Sequence, residues 1–306
     1  MTKKRLTAYL LLILTSIIWG IAGPVIKHTL QFIPPFTFLF WRFLLASLIF
    51  LPFFIWFARK EKETLKTLLP IVPIGFLGIP FCLSFVFLGF ERTSALDGTI
   101  LSALAPIFIV LAGVFFLKEK VTRIEAAGLA IAIAGSVVIV SQPLLEGGAF
   151  AQRNLTGNLL IIISDLIWTV YVILSKVEFK KHSPFIITAV SFFTGLVAIF
   201  PLALFEKGPQ IFNFQFSIFN LNALWGVLYM VIFSSVLAYF AFESGLRLIE
   251  ASETTLFAYL QPIFAAPVAV FWLGERISPP FLLGAGIIAI GVFLSEYRSG
   301  RRTLSS

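Results

Sequence analysis

One carboxylate falls in the middle of a long apolar segment. Asp165 lies within residues 157–175, Trp168 follows one helical turn later, and Tyr171 continues along the segment. An ionised carboxylate is costly inside a bilayer, so such residues face a wet cavity or a bundle interior and often mark substrate or proton paths. An acid beside aromatic rings suits an ammonium group. We favour this binding or proton-carrying role over the alternative, a structural Asp that is protonated or paired with a serine.

Other side chains in the apolar segments could contact the same substrate. Trp19 occupies the position in the first segment that Trp168 occupies in the sixth, and Tyr259 and Gln261 flank Leu260 in the ninth. Polar residues in the middle of an apolar segment are rare, so we take them as candidates for substrate contact. Ser84, in the third segment, is a weaker candidate for the same wall.

Arg42 lies about two turns inside the second segment. It could bind a substrate carboxylate and complete an amino-acid clamp with Asp165. It could equally extend to the membrane interface or hold backbone carbonyls. We favour the structural role.

Composition identifies the elements that position these residues as membrane helices. The chain of 306 residues is 59% hydrophobic and 12% charged, with mean hydropathy +0.99. A soluble fold cannot bury that much apolar surface, whereas a bilayer accommodates helices of about 20 apolar residues. The sequence predicts ten such spans, near residues 6–27, 35–57, 68–90, 96–117, 122–140, 157–175, 184–205, 221–245, 254–273 and 279–294.

The two halves of the chain repeat each other. Leu104-Ala105-Pro106-Ile107-Phe108 recurs 156 positions later as Leu260-Gln261-Pro262-Ile263-Phe264, and nearer the N-terminus an offset of 149 aligns Trp19 with Trp168. Each copy contains five predicted spans, so the second copy enters the membrane from the opposite side, as in many secondary transporters. The predicted organisation is a repeat over residues 1–141, an external linker over 142–156, a second repeat over 157–298 and a tail over 299–306.

Loop charge predicts the orientation. Of the 23 Lys and Arg residues, the predicted external segments hold only Lys27, Arg92, Arg153, Lys207 and Arg276. Apart from Arg42, the remaining basic residues fall on the side of both termini, which the positive-inside rule makes cytoplasmic. The net charge of +8 therefore indicates contact with anionic lipid and not with nucleic acid.

The chain resembles the drug/metabolite transporter superfamily, in particular its EamA-type members. The resemblance rests on Trp19-Gly20, on Trp41-Arg42-Phe43, and on two ordered blocks that run from Pro106 through Glu119 to Gly135 and from Pro262 through Glu275 to Gly291. It implies an all-α integral membrane protein of ten transmembrane helices, arranged as two inverted five-helix repeats in the bacterial inner membrane. It also implies export of amino acids or other small metabolites through a cavity lined by spans one, three, four, six, eight and nine.

Two pairs of repeated residues have predicted roles in the scaffold. Pro106 and Pro262 lie mid-span, where a missing backbone donor produces a hinge or a cavity-lining carbonyl, although membrane helices also tolerate proline without either. Glu119 and Glu275 are predicted to cap the helix that follows each of them, which makes them structural.

The predicted function is therefore secondary transport by alternating access, with a small molecule as substrate and protons as the candidate coupling ion. An uncoupled facilitator or drug exporter is the alternative. An intramembrane enzyme is disfavoured, because one Cys and two His provide no nucleophilic or metal constellation. No cofactor, metal or phosphate-binding loop is predicted. Alanines at four-residue spacing in spans five and ten could pack the halves together or form a homodimer.

Overall fold

The computed structural model describes residues 3–117, 122–146, 148–212, 221–249 and 251–302, and all regular structure in these ranges is helical. Helices satisfy every backbone hydrogen bond internally, which hydrocarbon requires. The first half contains α1 (Lys3–Thr29), α2 (Pro35–Lys60), α3 (Leu65–Leu68), α4 (Ile71–Phe76), a π-helix named π1 (Leu77–Phe81), α5 (Cys82–Arg92), α6 (Ala95–Ser102), α7 (Ala105–Leu117) and α8 (Arg123–Glu146). The second half contains α9 (Gly148–Glu178), α10 (Pro184–Lys207), a 3₁₀ turn (Gly208–Phe212), α11 (Leu221–Tyr229), the π-helix π2 (Met230–Leu237), α12 (Ala238–Leu248), α13 (Ala251–Ala258), α14 (Gln261–Leu273) and α15 (Pro279–Arg302).

Seven helical stretches among the described residues are long and apolar enough to cross a membrane. They lie over the predicted spans one to four and six to eight, and the shorter apolar helices Ala126–Ile139, Gln261–Leu273 and Pro279–Gly291 lie over spans five, nine and ten. The stretch predicted as an external linker is mostly helical, since α8 runs to Glu146 and α9 starts at Gly148.

The fourth and ninth spans are each broken into two helices. The breaks fall at Ala103–Leu104, between α6 and α7, and at Tyr259–Leu260, between α13 and α14. Pro106 and Pro262 are therefore the second residues of α7 and α14, where a missing N–H costs little. The sequence predicted one kinked helix around each proline; the structure has a turn and a new helix instead.

Spans three and eight both contain a π-helix. Adding the repeat offset of 156 to π1 gives residues 233–237, which lie inside π2. π-Turns are rare and occur frequently at functional sites. Each π-helix precedes the helix, α5 or α12, that supplies residues to the central cavity described below.

Helix packing follows the same correspondence between halves. α1 packs against α12 and α14, and α9 packs against the corresponding helices α5 and α7. α2 packs along α10, and α8 packs along α15. The α8–α15 contact uses glycines: a Cβ on Gly135 would lie 2.8 Å from the carbonyl oxygen of Gly284. The alanines Ala126, Ala130 and Ala134 are instead exposed on the outer face of α8, so they do not make this contact.

Lysines cap two helix C-termini at equivalent positions. The Lys27 ammonium donates to the carbonyl oxygens of Phe90 and Thr93 at 2.9 and 2.5 Å, at the end of α5. The Lys176 ammonium donates to Leu246 O at 2.5 Å and to Ile249 O, at the end of α12. A cation at a helix C-terminus satisfies orphan carbonyls and interacts favourably with the helix dipole. These ammonium groups therefore bind span one to span three and span six to span eight.

Carboxylates of the second half cap helices of the first half. Glu275 accepts from the amides of Ala95 and Leu96 at 2.7 and 2.9 Å, at the start of α6. The prediction that Glu275 caps the following helix is therefore wrong, because α6 brings its free N–H groups to this carboxylate while Ser278 accepts from Phe281 N at the start of α15. Glu119 lies outside the described residues.

We expect Glu275→Ala to lower the free energy of unfolding by about 1–2 kcal/mol, because two amides at a helix N-terminus lose their acceptor. Denaturant titration of the purified protein in detergent measures this loss. Glu91→Ala is the matched control: Glu91 pairs with Arg92 at a side chain that is 33% exposed, and such pairs contribute little. Equal losses in the two variants would contradict a capping role.

Candidate functional site

A central cavity of about 170 Å³ lies among the helices that the resemblance implied, together with α2. Its lining side chains are mostly apolar or aromatic, and a few polar groups converge on it, as in small-molecule sites. The lining residues used below come from α1 (Thr15, Ser16, Trp19), α2 (Arg42), α5 (Cys82, Leu83, Val86), α6 and α7 (Thr99, Ser102, Pro106), α9 (Ser164, Asp165, Trp168), π2 (Ser234), α12 (Tyr239, Phe242) and α13 and α14 (Thr254, Gln261).

Asp165 lines this cavity and is 5% exposed. Its Oδ2 atom is buried and has no hydrogen-bond partner among the described residues. The neighbouring polar groups are already engaged: Ser164 Oγ donates to Ile161 O at 2.6 Å and Thr169 Oγ1 donates to Asp165 O at 2.8 Å. The serine-paired alternative for Asp165 therefore has no hydrogen bond to support it, and the carboxyl is available to a ligand.

Aromatic rings form one wall beside Asp165. Trp19 and Trp168, which are equivalent in the two halves, meet edge to face with centroids 5.6 Å apart. Trp19 also contacts Tyr239 and Phe242, each at 5.2 Å. Trp19 Nε1 donates to Ser234 O in π2 at 3.2 Å, which fixes the indole. The wall therefore offers aromatic faces beside a carboxyl, the arrangement that favours an ammonium group.

Arg42 reaches the cavity from α2 and is only 2% exposed. Its Nε donates to Ser235 Oγ at 2.7 Å and its Nη2 donates to Ser234 Oγ at 3.2 Å. The guanidinium also lies 5.4 Å from the Phe43 ring centroid and 5.9 Å from that of Phe87. Arg42 thus does not extend to the interface, and its bonded partners are hydroxyls and rings, so its charge has no bonded carboxylate among the described residues.

Gln261 of α14 packs against Gly20 of α1, the residue after Trp19. A Cβ on Gly20 would come within 2.6 Å of Gln261 O, so only glycine permits this contact. The approach places Gln261, the first residue of α14, in the cavity wall. Pro106 lines the cavity at the corresponding break in the other half, whereas Pro262 does not.

Three predicted substrate contacts lie outside the lining set. Tyr171 is six residues after Asp165, which at roughly 100° per residue rotates it about 120° around α9, away from the cavity; it is fully buried and donates to Glu243 Oε1 at 2.5 Å. Tyr259 lies in the turn between α13 and α14. Ser84 follows π1, and its hydroxyl donates to Pro80 O at 2.5 Å.

Several lining residues were missed by the sequence reasoning. Tyr239 and Phe242 of the second half occupy the positions of Leu83 and Val86 in the first, and all four line the cavity. The offset of 156 that aligns the two proline motifs relates these pairs, but neither member of either pair is conspicuous in its apolar span. The hydroxyls of Thr15, Thr99, Ser102 and Thr254 are a further missed group, because isolated Ser and Thr give no signal in an apolar span. No group of three potential metal ligands occurs among the described residues.

The sequence pattern of the EamA-like transporter family matches residues 6–141 and 155–297. The chain belongs to this family. The pattern matches once in each half, and the paired breaks, π-helices and lysine caps described above likewise occur once in each half. The family assignment also makes the protein a multi-pass membrane transporter, in agreement with its seven long apolar helices.

Similar proteins cover nearly the whole of this EamA-family chain. A protein of Archaeoglobus fulgidus described as an uncharacterized transporter is 30% identical over 289 residues, which are 94% of this chain and 96% of the relative. The Bacillus subtilis uncharacterized transporter YyaM is 27% identical over 96% of this chain and 94% of its own. A solved crystal structure with 19% identity superposes with a TM-score of 0.66 over 98% of this chain and 99% of its own, which supports the fold alone.

Proposed function

We propose that this protein is a secondary transporter of small zwitterionic metabolites, amino acids above all. The observation that carries the proposal is the presence of Arg42 and Asp165 in the wall of one cavity. Neither side chain forms an ion pair with a described residue, and Asp165 Oδ2 has no hydrogen-bond partner there. A zwitterion supplies a carboxylate for the Arg42 guanidinium and an ammonium group for the Asp165 carboxylate.

Desolvation energetics favour such a ligand. A buried charge is costly unless a partner compensates it, and truncating one member of a buried pair leaves the other uncompensated. An α-carboxylate can accept from the guanidinium, while an ammonium can donate to Asp165 and face the Trp168 ring. The cavity of about 170 Å³ is smaller than the roughly 300–1,000 Å³ of drug-sized sites, which favours metabolites over drugs.

The proposed transport cycle uses two inverted repeats of five helices, over residues 1–141 and 157–298. Its support is the equivalence of the breaks, of π1 with π2, and of Lys27 with Lys176. In this proposal the shorter apolar helices complete ten spans, both termini are cytoplasmic, and alternating access comes from rocking one half against the other. The proposed location is the bacterial inner membrane, and the proposed direction of transport is export.

The exposed alanines of α8 are the surface that a homodimer would use, because they lie outside the α8–α15 contact. A facilitator without ion coupling is the second candidate function. Polyanionic substrates are disfavoured, because Arg42 is the cavity's cation among the described lining residues.

The proposal is tested with purified protein in proteoliposomes and a panel of labelled amino acids, with and without an imposed pH gradient. We expect saturable uptake of at least one neutral amino acid and competition by its unlabelled form. A pH gradient that drives accumulation indicates proton coupling, and uptake that is indifferent to the gradient indicates a facilitator. Protein-free liposomes provide the background, and no transport of any panel member would contradict the amino-acid assignment.

A further inference from the structure

Glu243 is a second carboxyl enclosed in the membrane-spanning region, and it lies outside the cavity lining. The residue is on α12 and is 0% exposed. The Tyr171 hydroxyl donates to its Oε1 atom at 2.5 Å, and its Oε2 atom is buried without a hydrogen-bond partner among the described residues. A carboxyl built into the interior with one neutral donor needs an explanation, because packing alone would favour an apolar residue there.

The carboxyl lies directly behind the aromatic wall of the cavity. Tyr171 packs on Trp168 with centroids 5.0 Å apart, and Trp168 packs on Phe242 at 5.4 Å. Phe242 is the residue before Glu243, and both it and Trp168 line the cavity. One layer of side chains therefore separates the candidate substrate site from the Tyr171–Glu243 hydrogen bond.

Two phenols, Tyr171 and Tyr239, interact electrostatically with Glu243. Lys176, on α9, is held by the carbonyl oxygens at the end of α12. The other ionisable residues on the described α-helices around Glu243 are Arg247 on α12 itself, Arg153, Asp165 and Glu178 on α9, Lys3, Lys4, Arg5, Tyr9, Lys27 and His28 on α1, Glu206 and Lys207 at the end of α10, and Glu253 on α13. An ionised Glu243 would thus rely on one neutral hydrogen-bond donor, which compensates a buried charge poorly.

We propose that Glu243 is the proton-carrying site of the transport cycle. Its carboxyl takes one proton from water on one side of the membrane, holds it while α9 and α12 enclose the residue, and releases it to water on the other side when the two helices separate. Only the carboxyl O–H bond forms and breaks, and the proton gradient supplies the energy. This inference rests on the proposed transport function, and it separates the proton site from Asp165, which binds the substrate.

Substrate and proton are linked through Tyr171. The Tyr171 ring lies so close over Gly78 of π1 that no Cβ fits there, and the ring also contacts Trp168. A substrate that moves Trp168 therefore displaces Tyr171 or strains it, and the bond to Glu243 changes with it. By linkage, protonation of Glu243 alters substrate affinity by the same factor that substrate alters proton affinity.

Transport assays separate coupling from substrate binding. In proteoliposomes with a mixture of labelled neutral L-amino acids, we expect Glu243→Gln to retain exchange of labelled for unlabelled amino acid within about twofold of the unsubstituted protein. The variant loses accumulation driven by a pH gradient, and Glu243→Asp restores part of it. Gradient-driven accumulation by Glu243→Gln, or indifference of the unsubstituted protein to the gradient, overturns the proposal.

Infrared spectroscopy tests the proton site without any substrate. Difference spectra between acidic and alkaline buffer should contain a protonated-carboxyl carbonyl component, in addition to the band of the exposed carboxyls, that is absent in Glu243→Gln and present in Asp165→Asn. Tyr171→Phe should shift the pH midpoint of this component, since it removes the hydrogen-bond donor. A difference spectrum of Glu243→Gln that is identical to that of the unsubstituted protein overturns the inference. The presence of the Glu243 component with no amino-acid transport instead contradicts the proposed function alone.

Discussion

Asp165→Asn is expected to reduce transport of neutral amino acids by roughly 30-fold or more. Removing one member of a buried charge pair costs about 2–5 kcal/mol, and each 1.4 kcal/mol is a factor of ten. The amide keeps the size of the side chain and its place in the wall, so the cavity retains its shape. What is lost is the negative charge that faces the substrate ammonium beside Trp168.

The chain offers a close control for this change. Asp97 is the only other aspartate, and it lies in the first turn of α6 outside the cavity lining. We expect Asp97→Asn to transport amino acids within about threefold of the unsubstituted protein, since its side chain lies outside the cavity lining. Initial rates in proteoliposomes, normalised to reconstituted protein, compare the two. Equal rates for Asp165→Asn and the unsubstituted protein would remove Asp165 from the site.

The repeat in the sequence was enough to place the equivalent parts of the scaffold. An offset of 156 relates the break at Ala103 to that at Tyr259, and an offset of 149 relates Lys27 to Lys176. Such features depend on local sequence, namely a proline beside a break or a lysine at a helix end, and local sequence is preserved between copies. Asp165 and Trp168 were found because charge and bulk are conspicuous in an apolar span.

Residues whose role depends on a distant partner could not be assigned that partner from the sequence. Glu275 caps a helix 180 positions away, and the partners of Arg42 lie more than 190 positions away. Partners separated by so many positions leave no periodic pattern in the sequence. The π-helices add a further difficulty, because an inserted residue rotates the following helix and changes which face meets the cavity. Ser84 follows π1 and Tyr239 follows π2, so simple helical phase could not place either of them.

Arg42→Met is expected to remove the preference of the site for a carboxylate. Methionine is unbranched and of similar length, so it fills the space of the arginine stem without its charge. We expect affinity for neutral amino acids to fall by about 2–5 kcal/mol, as for a buried charge partner. Affinity for the corresponding amines, which lack the carboxylate, should change by less than about threefold. Competition against labelled amino acid, or tryptophan fluorescence from Trp19 and Trp168, measures both affinities.

A structural effect of losing Arg42 has to be separated from its binding role. The substitution leaves the hydroxyls of Ser234 and Ser235 without the guanidinium that they accept from, although a serine can also donate to a carbonyl one turn back. Ser235→Ala removes one of these partners while Arg42 stays, and Ser235 does not line the cavity. We expect Ser235→Ala to bind amino acids within about threefold of the unsubstituted protein. Arg42→Lys is a separate variant, which keeps the charge and loses the forked geometry of the guanidinium.

The decisive quantity is the coupling free energy between two deletions, that of the Arg42 guanidinium and that of the substrate carboxylate. If Arg42 contacts the substrate carboxylate, deleting the guanidinium and deleting the carboxylate remove the same interaction, so the two losses together equal either one alone. If Arg42 acts only through π2, the losses add, and amines weaken as much as amino acids do. A four-cornered cycle of affinities for the unsubstituted protein and Arg42→Met, each with an amino acid and its amine, therefore distinguishes a ligand from a scaffold residue. Additive losses would leave Asp165 as the single charged contact between the described cavity lining and the substrate.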